Sequence, residues 1–263
     1  MAKDLDLQNK NWESLAVIDP YWAILVEDEK INNKWEVEKF YNTGKIQISK
    51  ILSFLHDKGI VFQENSALDY GCGAGRLTEA LGNLFTEVYG VDFSHNMINL
   101  ANRHNSSPNI KYRVSNGSDL RLFQDGKFDF ILSLITLQHS PDKIQYGLIR
   151  EMMRTCSLNG IIIFSAVTHL SLKHSIRNII AKFSPSLANY LLAWRSSLRN
   201  RNLGHYKENV GSQIFNVNPR KIYQIARENG FNVLYYASVE LNWKNDDPLE
   251  TFILVRESNG HSY

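Results

Sequence analysis

Short runs of apolar residues alternate along the middle of the chain with segments in which apolar residues recur every three or four positions. The runs cover residues 67–70, 88–91, 110–114, 128–137 and 161–167, and each has the length of a buried strand. The periodic segments between them, including residues 144–158, predict helices. Strands that are apolar on both faces and alternate with helices are typical of a parallel sheet covered on both sides.

The two ends of the chain depart from this alternation. Residues 1–60 are polar sequence interrupted by aromatic residues and closed by a helical pattern, which predicts a helical cap. Near the other end, a helix over 219–229 has Pro219 at its start and Gly230 after it, as helix chemistry favours. Strands over 231–239 and 251–255 follow, joined by a polar loop around Asp246, Asp247 and Pro248, so we expect them to pair antiparallel.

These elements predict an open α/β sheet of seven strands, mostly parallel, with an antiparallel terminal strand. Residues 1–59 are expected to form the helical N-terminal cap and residues 60–168 the ligand-binding core. Residues 169–215 should be a helical insertion after the fifth strand, and residues 216–263 the end of the core.

The composition is that of an ordinary globular protein. Of the 263 residues, 43% are apolar and 21% charged, which excludes collagen-like and wholly disordered classes. No apolar run reaches the roughly 18 residues of a membrane span, and the N-terminus lacks the apolar region of a secretory signal. Two cysteines, Cys72 and Cys156, are too few for a disulfide framework or a four-cysteine zinc site. We expect a cytoplasmic enzyme without a metal or a transmembrane segment.

The net charge of +2 conceals an uneven distribution. No acidic residue occurs between Glu151 and Glu208, a stretch that holds eight Lys and Arg residues. The remainder of the chain is therefore acidic, and one segment supplies the basicity.

A glycine cluster stands between the first predicted strand and the following helix. It reads Asp69-Tyr-Gly71-Cys-Gly73-Ala-Gly75-Arg76, and Asp92 ends the next strand 21 residues after Gly71. Glycines allow a tight turn and let a ligand approach the backbone, while an acid at that distance can bind ribose hydroxyls. The third glycine comes one position too early for the dinucleotide fingerprint, and a carboxylate two residues before the first glycine suits a cationic ligand better than a pyrophosphate.

These residues resemble the first motif of class I S-adenosylmethionine-dependent methyltransferases, D/E-x-G-x-G-x-G. The antiparallel terminal strand is also similar to that Rossmann-like family. The resemblance continues in the segments 89–94, 114–120, 127–139 and 154–164, although Asn116 replaces the usual Asp and the Pro of the segment before the fifth strand is missing.

The resemblance implies S-adenosylmethionine as the cofactor and S-adenosylhomocysteine as its product. It assigns cofactor contacts to Asp69, Gly71, Cys72, Gly73, Gly75, Arg76, Asp92, Phe93, Met97, Asn116, Gly117, Ser133 and Leu134. Asp92 would hold the ribose, Phe93 would lie beside the adenine, and Asn116 and Gly117 would lie at its edge. Asp69 could instead accept hydrogen bonds from the loop amides, and nothing beside Cys72 suggests a nucleophile.

His139 is the candidate general base for an alcohol acceptor. It follows the fourth strand at the carboxyl edge of the sheet, where ligands bind in open α/β folds, and neutral His accepts protons near pH 7. The alternative is that His139 caps the next helix or packs under the methionine moiety. Gln138 and His169 are placed to contact the acceptor, and His174 is a further histidine in that region.

Several acceptor classes lack their motifs. The N/D-P-P-Y/F motif of enzymes that methylate base amines is absent, and so are the Pro-Cys of cytosine-C5 enzymes and the carboxylate cluster of metal-dependent catechol enzymes. O-Methylation of a small molecule, nucleotide-sugar or glycan remains. The first 44 residues resemble N-terminal segments of bacterial polysaccharide-pathway methyltransferases, which implies that Tyr41, Thr43 and Gly44 face the methionine end of the cofactor.

The basic segment falls in the predicted insertion, where two amphipathic helices are expected. Arg195, Arg199 and Arg201 lie near the end of the second helix, and we expect at least one of them to bind an anionic acceptor. The cations could also be merely solvated, or could contact an anionic membrane surface to reach a lipid-linked glycan. Two other functions stay open: an RNA methyltransferase that holds phosphates with this segment, although no RNA-binding module is recognisable, and an inactive protein that only binds the cofactor.

Overall fold

A seven-stranded sheet forms the centre of the molecule. The computed structural model describes residues 2–169, 214–236 and 249–256. Within them the strand order is β3-β2-β1-β4-β5-β7-β6, and β7 runs antiparallel to both of its neighbours while the other pairs are parallel. The predicted mostly parallel sheet with a reversed strand near its edge is confirmed.

The strands are β1 (Ser66–Tyr70), β2 (Glu87–Asp92), β3 (Ile110–Val114), β4 (Phe128–Ser133), β5 (Cys156–Val167), β6 (Phe231–Tyr236) and β7 (Leu249–Arg256). The described helices are α1 (Ala2–Ile18), α2 (Pro20–Ile24), α3 (Val37–Asp57), α4 (Arg76–Leu81), α5 (His95–His104), α6 (Asp142–Thr155) and α7 (Pro219–Glu228). Single 3₁₀ turns cover Asp28–Lys30 and Leu137–His139.

Alternate residues of the central strands contribute to separate apolar layers on the two faces of the sheet. Leu68 packs with the layer under α6 and α7, whereas its neighbour Ala67 belongs to the layer under α3, α4 and α5. In the same way, Ile131 packs in the layer under α6 and α7, and Phe130 packs in the layer under α3, α4 and α5. This period of two, with both faces covered, explains why the strands are continuously apolar in sequence.

The N-terminal cap has an apolar cluster of its own that reaches the core. Trp22, Trp35 and Phe40 pack there with Ala74 of the glycine loop and Met97 of α5. Asp19 is fully buried and accepts a hydrogen bond from the backbone N of Trp22 at the start of α2, and another from the backbone N of Asn33. The cap is thus fixed over the loops at the carboxyl ends of β1 and β2.

Two sequence-based boundaries are wrong. The fourth strand was expected to reach residue 137, but it ends at Ser133, because Ile135 adopts a left-handed conformation with φ +59° and turns the chain out of the sheet. The helix expected over 144–158 ends at Thr155, and β5 begins at once. Asn159 and Gly160 lie in a bulge of β5 rather than after a helix, since one residue of β4, Asp129, stands opposite residues 157–160 of β5.

Several predicted features lie outside the described residues. These are both helices of the insertion, residues 170–213, and the polar loop between the last two strands, residues 237–248. Within the part of the chain that the structure describes, no helix is both long and apolar enough to cross a membrane.

Candidate functional site

The glycine loop joins β1 to α4 and has the backbone that its sequence indicates. Gly71, Gly73 and Gly75 have φ of +77°, +52° and +85°, a region in which residues with a Cβ are strained. The backbone N of Gly71 and that of Cys72 both donate to the carbonyl of Val91, at 2.7 and 3.0 Å. The loop is therefore anchored across the end of β2.

Close neighbours leave no room for side chains on these glycines. A Cβ on Gly71 would lie 2.2 Å from Cγ2 of Thr136, and one on Gly75 would lie 2.2 Å from the hydroxyl of Tyr112. A Cβ on Gly73 would lie 2.7 Å from Cδ1 of Ile24, which belongs to the cap. The loop is thus packed between the core and the cap.

We expect Gly71→Ala to lower the free energy of unfolding by about 3 kcal/mol, because left-handed strain and the overlap with Thr136 add together. Gly59→Ala is the matched control, since Gly59 has φ +67° but no atom of the described residues lies within 4 Å of where its Cβ would be. It should lose about 1 kcal/mol from strain alone. Urea denaturation of both variants checks this, and equal losses would contradict the close packing of the loop.

Asp92 stands at the end of β2 and connects the loops on either side. Its Oδ2 accepts a hydrogen bond from the backbone N of Gly73, and its Oδ1 accepts one from the backbone N of Ser94, both at 2.9 Å. Burial raises the pKa of the Asp92 carboxyl to about 6, although these amides oppose the shift. Each carboxylate oxygen retains a further lone pair that a ligand hydroxyl can use.

Asp69 and Arg76, at the two ends of the glycine motif, are both buried charged residues. Asp69 is 2% exposed and accepts a hydrogen bond of 2.6 Å from the hydroxyl of Thr78. Burial raises the pKa of the Asp69 carboxyl to about 6, while burial lowers that of Arg76 to about 10. Arg76 donates from Nη2 to Oε1 of Gln47, and its Nε has no partner among the described residues. A buried carboxyl with a raised pKa is ready to stabilise a cationic group of a ligand.

The raised pKa of Asp69 has a consequence for stability without ligand. The folded protein binds this proton more tightly than the unfolded chain, so the stability contributed by this group falls as the pH rises from about 4 to about 6. Asp69→Asn should flatten this slope and raise the free energy of unfolding at pH 7 on the order of 2 kcal/mol.

Asp119→Asn is the control for this prediction. Arg121 lowers the pKa of the Asp119 carboxyl to about 2, so it is ionised throughout that pH range and its removal should leave the slope unchanged. Urea titrations at pH 4.5 and pH 7 measure both. Part of the slope should remain in Asp69→Asn, because the pKa of the Asp92 carboxyl is also raised to about 6. A slope as steep as that of wild type would contradict the assignment.

Helix α3 brings the three predicted methionine-end residues onto the glycine loop. The hydroxyl of Tyr41 donates to the carbonyl of Ala74 at 2.8 Å, and Nη1 of Arg76 donates to the hydroxyl of Thr43. A Cβ on Gly44 would lie 2.1 Å from the carbonyl oxygen of Arg76. Their role as cofactor contacts stays a prediction, but the structure brings all three to the expected loop.

The residues expected around an adenine lie together at the next loops. A Cβ on Gly117 would lie 3.5 Å from Cβ of Phe93, so the two face each other. Met97 is buried in the cap cluster. The side chain of Asn116 forms hydrogen bonds within its own loop. Its Oδ1 accepts a hydrogen bond from the backbone N of Ser118, and its Nδ2 donates one to Oδ2 of Asp119.

His139 lies in the 3₁₀ turn after β4, where its ring meets the indole of Trp12 edge-to-face. Ser133 and Gln138, which are close to His139 in sequence, are both buried. Oγ of Ser133 and Oε1 of Gln138 have no hydrogen-bond partner among the described residues. Leu134 and Cys72 pack in the same apolar layer. Burial raises the pKa of the Cys72 thiol well above its usual value, which opposes a nucleophilic thiolate.

The predicted acceptor residues are only partly described. His169 is exposed, with Nδ1 2.9 Å from the hydroxyl of Thr168. Arg195, Arg199 and Arg201 lie outside the described residues. Residues 2–169, 214–236 and 249–256 contain no group of three or more His, Cys, Asp or Glu side chains able to hold a metal ion.

Two residues of α1 at this site were not singled out from the sequence. Glu13 accepts hydrogen bonds from the hydroxyl of Ser94 and from the backbone N of His95, at 2.9 and 2.6 Å, and so caps α5 from a distant helix. Trp12 is its neighbour and contacts His139. Serine is a residue type that commonly begins a helix, as Ser94 does for α5, but no local pattern indicates an acid 81 residues away.

Known methyltransferases share sequence and fold with this chain. Residues 68–164 match the family model of a methyltransferase domain. Magnesium protoporphyrin IX methyltransferase from Synechocystis PCC 6803, solved with S-adenosylmethionine bound, shares the fold with a TM-score of 0.59 over 97% of each chain, at 16% identity. Residues 68–164 thus match a methyltransferase domain, and the chain shares the fold of a methyltransferase that binds S-adenosylmethionine.

Curated relatives of this methyltransferase domain match it over shorter segments. A ubiquinone biosynthesis O-methyltransferase of Xanthomonas campestris is 37% identical over 79 residues, which are 29% of this chain and 33% of the relative. A malonyl-[acyl-carrier protein] O-methyltransferase of Bacillus cereus is 28% identical over 134 residues, 50% of this chain and 48% of the relative. The matches thus span about a third to a half of these relatives.

Proposed function

We propose that this protein transfers the methyl group of S-adenosylmethionine to an oxygen atom of a small polar acceptor, and that His139 removes the acceptor's proton. The observation that carries the proposal is the pair of buried carboxyls, Asp69 and Asp92, on either side of the glycine loop. Burial without a full set of partners is unfavourable for such groups, and a ligand with a cationic end and hydroxyls would relieve it.

The residues present fit this cofactor. Asp92 would accept hydrogen bonds from the ribose hydroxyls, because its amide partners leave lone pairs free. Asp69 would stabilise the ammonium group of the methionine end, and Tyr41, Thr43 and Gly44 would close that end through α3. Phe93 and Gly117 would line the adenine. Ser133, whose hydroxyl has no hydrogen-bond partner in the part of the chain that the structure describes, would lie at the base of the site.

We assign the proton transfer at the acceptor to His139, and the orientation of the acceptor to the residues around it. The bound cofactor supplies a methyl group activated by its positive sulfur. His139 would take the hydroxyl proton as the oxygen attacks, and Gln138 in the same turn would orient the acceptor. The cap excludes water, since Trp12 packs on His139 and Glu13 holds α1 to α5.

The chemical class of the acceptor is a separate proposal. A nucleotide-sugar or glycan is favoured by the likeness of the N-terminal segment to polysaccharide-pathway enzymes and by the basic segment, in which Arg195, Arg199 and Arg201 would bind an anionic group. The relatives named for ubiquinone biosynthesis and for malonyl-[acyl-carrier protein] favour a different small acceptor as the second candidate. The test must therefore not presuppose the acceptor.

The deciding experiment follows the methyl group. The purified protein is incubated with methyl-labelled S-adenosylmethionine and an extract of the source cells, which is then fractionated. Label in nucleotide-sugar, glycan or glycolipid fractions supports the first candidate, and label in other small molecules supports the second. Label in nuclease-sensitive material would overturn the proposal in favour of RNA methylation, and absence of transfer would leave a protein that only binds the cofactor.

A further inference from the structure

We propose that Trp12 determines acceptor specificity: its indole N–H donates a hydrogen bond to a second oxygen of the acceptor, beside the hydroxyl that His139 deprotonates. The acceptor class is then a small molecule with oxygens on adjacent carbons, as in a catechol or a vicinal diol of a sugar. This inference rests on the proposed function and narrows it.

The first observation is the contact between Trp12 and His139. The two ring centroids lie 5.0 Å apart at an interplanar angle of 66°. A group bound at His139 would therefore lie next to the indole ring. An acceptor with a second oxygen beside its reacting hydroxyl can contact both rings, with one oxygen at each.

The second observation comes from the other indoles of the cap. Nε1 of Trp22 donates to the carbonyl of Glu27, and Nε1 of Trp35 donates to the carbonyl of Leu25, each at 3.1 Å. Nε1 of Trp12 is buried and has no hydrogen-bond partner among the described residues. A buried donor left unpaired is unfavourable, and buried indoles usually find a partner. Its partner here is assigned to the ligand.

The third observation is that Trp12 is held rigidly. Glu13, the next residue, accepts hydrogen bonds from the hydroxyl of Ser94, from the backbone N of His95 and from Nδ2 of Asn96. Leu15 and Ala16 are buried in the cap cluster one turn further on. A donor fixed in this way can discriminate between acceptors, because it loses little conformational entropy on binding.

The test observes the indole directly and needs no natural acceptor. The full chain is labelled with ¹⁵N, and its five tryptophan indole signals are recorded with S-adenosylhomocysteine bound. The signal missing from Trp12→Phe is that of Trp12. Catechol and cis-1,2-cyclohexanediol are then titrated, with phenol and cyclohexanol as analogues that lack the second oxygen.

We expect at least one diol to shift the Trp12 indole signal selectively, the Trp22 and Trp35 signals to stay in place, and the monohydroxy analogues to bind more weakly. Which diol binds distinguishes an aromatic from a sugar-like acceptor. In Trp12→Phe, which keeps the aromatic packing, the Kd of that diol should rise about 3- to 10-fold, the loss of one hydrogen bond. Trp35→Phe is the matched control, because it removes an indole N–H that pairs with the backbone.

Three outcomes would overturn the inference. They are a Trp12 signal that no diol moves, a Trp12 signal that S-adenosylhomocysteine alone moves to its final position, and equal diol affinities in wild type and Trp12→Phe. The proposed function fails separately, through the absence of S-adenosylhomocysteine binding in the calorimetric titration that precedes the spectra. That result would remove this inference with it.

Discussion

His139→Ala should lower the rate of methyl transfer about 10²- to 10⁴-fold while leaving the Kd of S-adenosylhomocysteine within a factor of two. This range is the usual contribution of a positioned general base, and His139 lies past the end of β4 rather than among the residues that we propose to hold the cofactor. The measurement is the initial rate of label transfer into the fraction that wild type modifies, with calorimetry for the cofactor.

A packing role for His139 must be separated from a chemical one, because its ring contacts Trp12. His139→Phe keeps a ring against the indole but cannot accept a proton, so it should be as inactive as His139→Ala. His56→Ala, at the exposed end of α3, serves as the control and should retain full activity. Substantial activity in His139→Phe would show that packing, not proton transfer, is what the site requires.

Asp92→Asn should weaken the binding of S-adenosylhomocysteine about 100-fold. The change removes a charged acceptor for ribose hydroxyls, and hydrogen bonds to charged groups contribute about 1.5–3 kcal/mol each. It also places an amide N–H against the backbone N of either Gly73 or Ser94, which loosens the loop that Asp92 connects. Calorimetric titration of the purified variant gives the Kd directly.

Asp129→Asn is the matched control on the same sheet. Asp129 is also buried and also accepts backbone hydrogen bonds, from Asn65 and Ser66, but it lies at the start of β4, at the opposite edge of the sheet. The variant should lose stability and keep its affinity for S-adenosylhomocysteine. If Asp92→Asn and Asp129→Asn weaken binding equally, Asp92 acts through folding and not as a ligand to the ribose.

The end of the helix expected over 144–158 illustrates why local patterns mislead at particular residues. Asn159 and Gly160 were interpreted as the end of a helix, and the structure has them in a bulge of β5, with Asn159 at φ +61°. A helix terminus and a strand bulge require the same left-handed backbone, so the same residue types serve both. The pairing of β4 with β5 decides between them.

The sequence by itself determined the order of strands and helices, the reversed strand, and the glycine loop with Asp92 at the end of β2. Each of these features depends on residues that lie within about two dozen positions of one another. Over that range the hydrophobic period, the turn residues and the spacing of the motif predict the structure. Only the tertiary structure placed Glu13 on the start of α5 and Trp12 on His139. The physical reason is that an amphipathic pattern states which face of a helix is buried, whereas the partner of that face depends on how distant elements pack together.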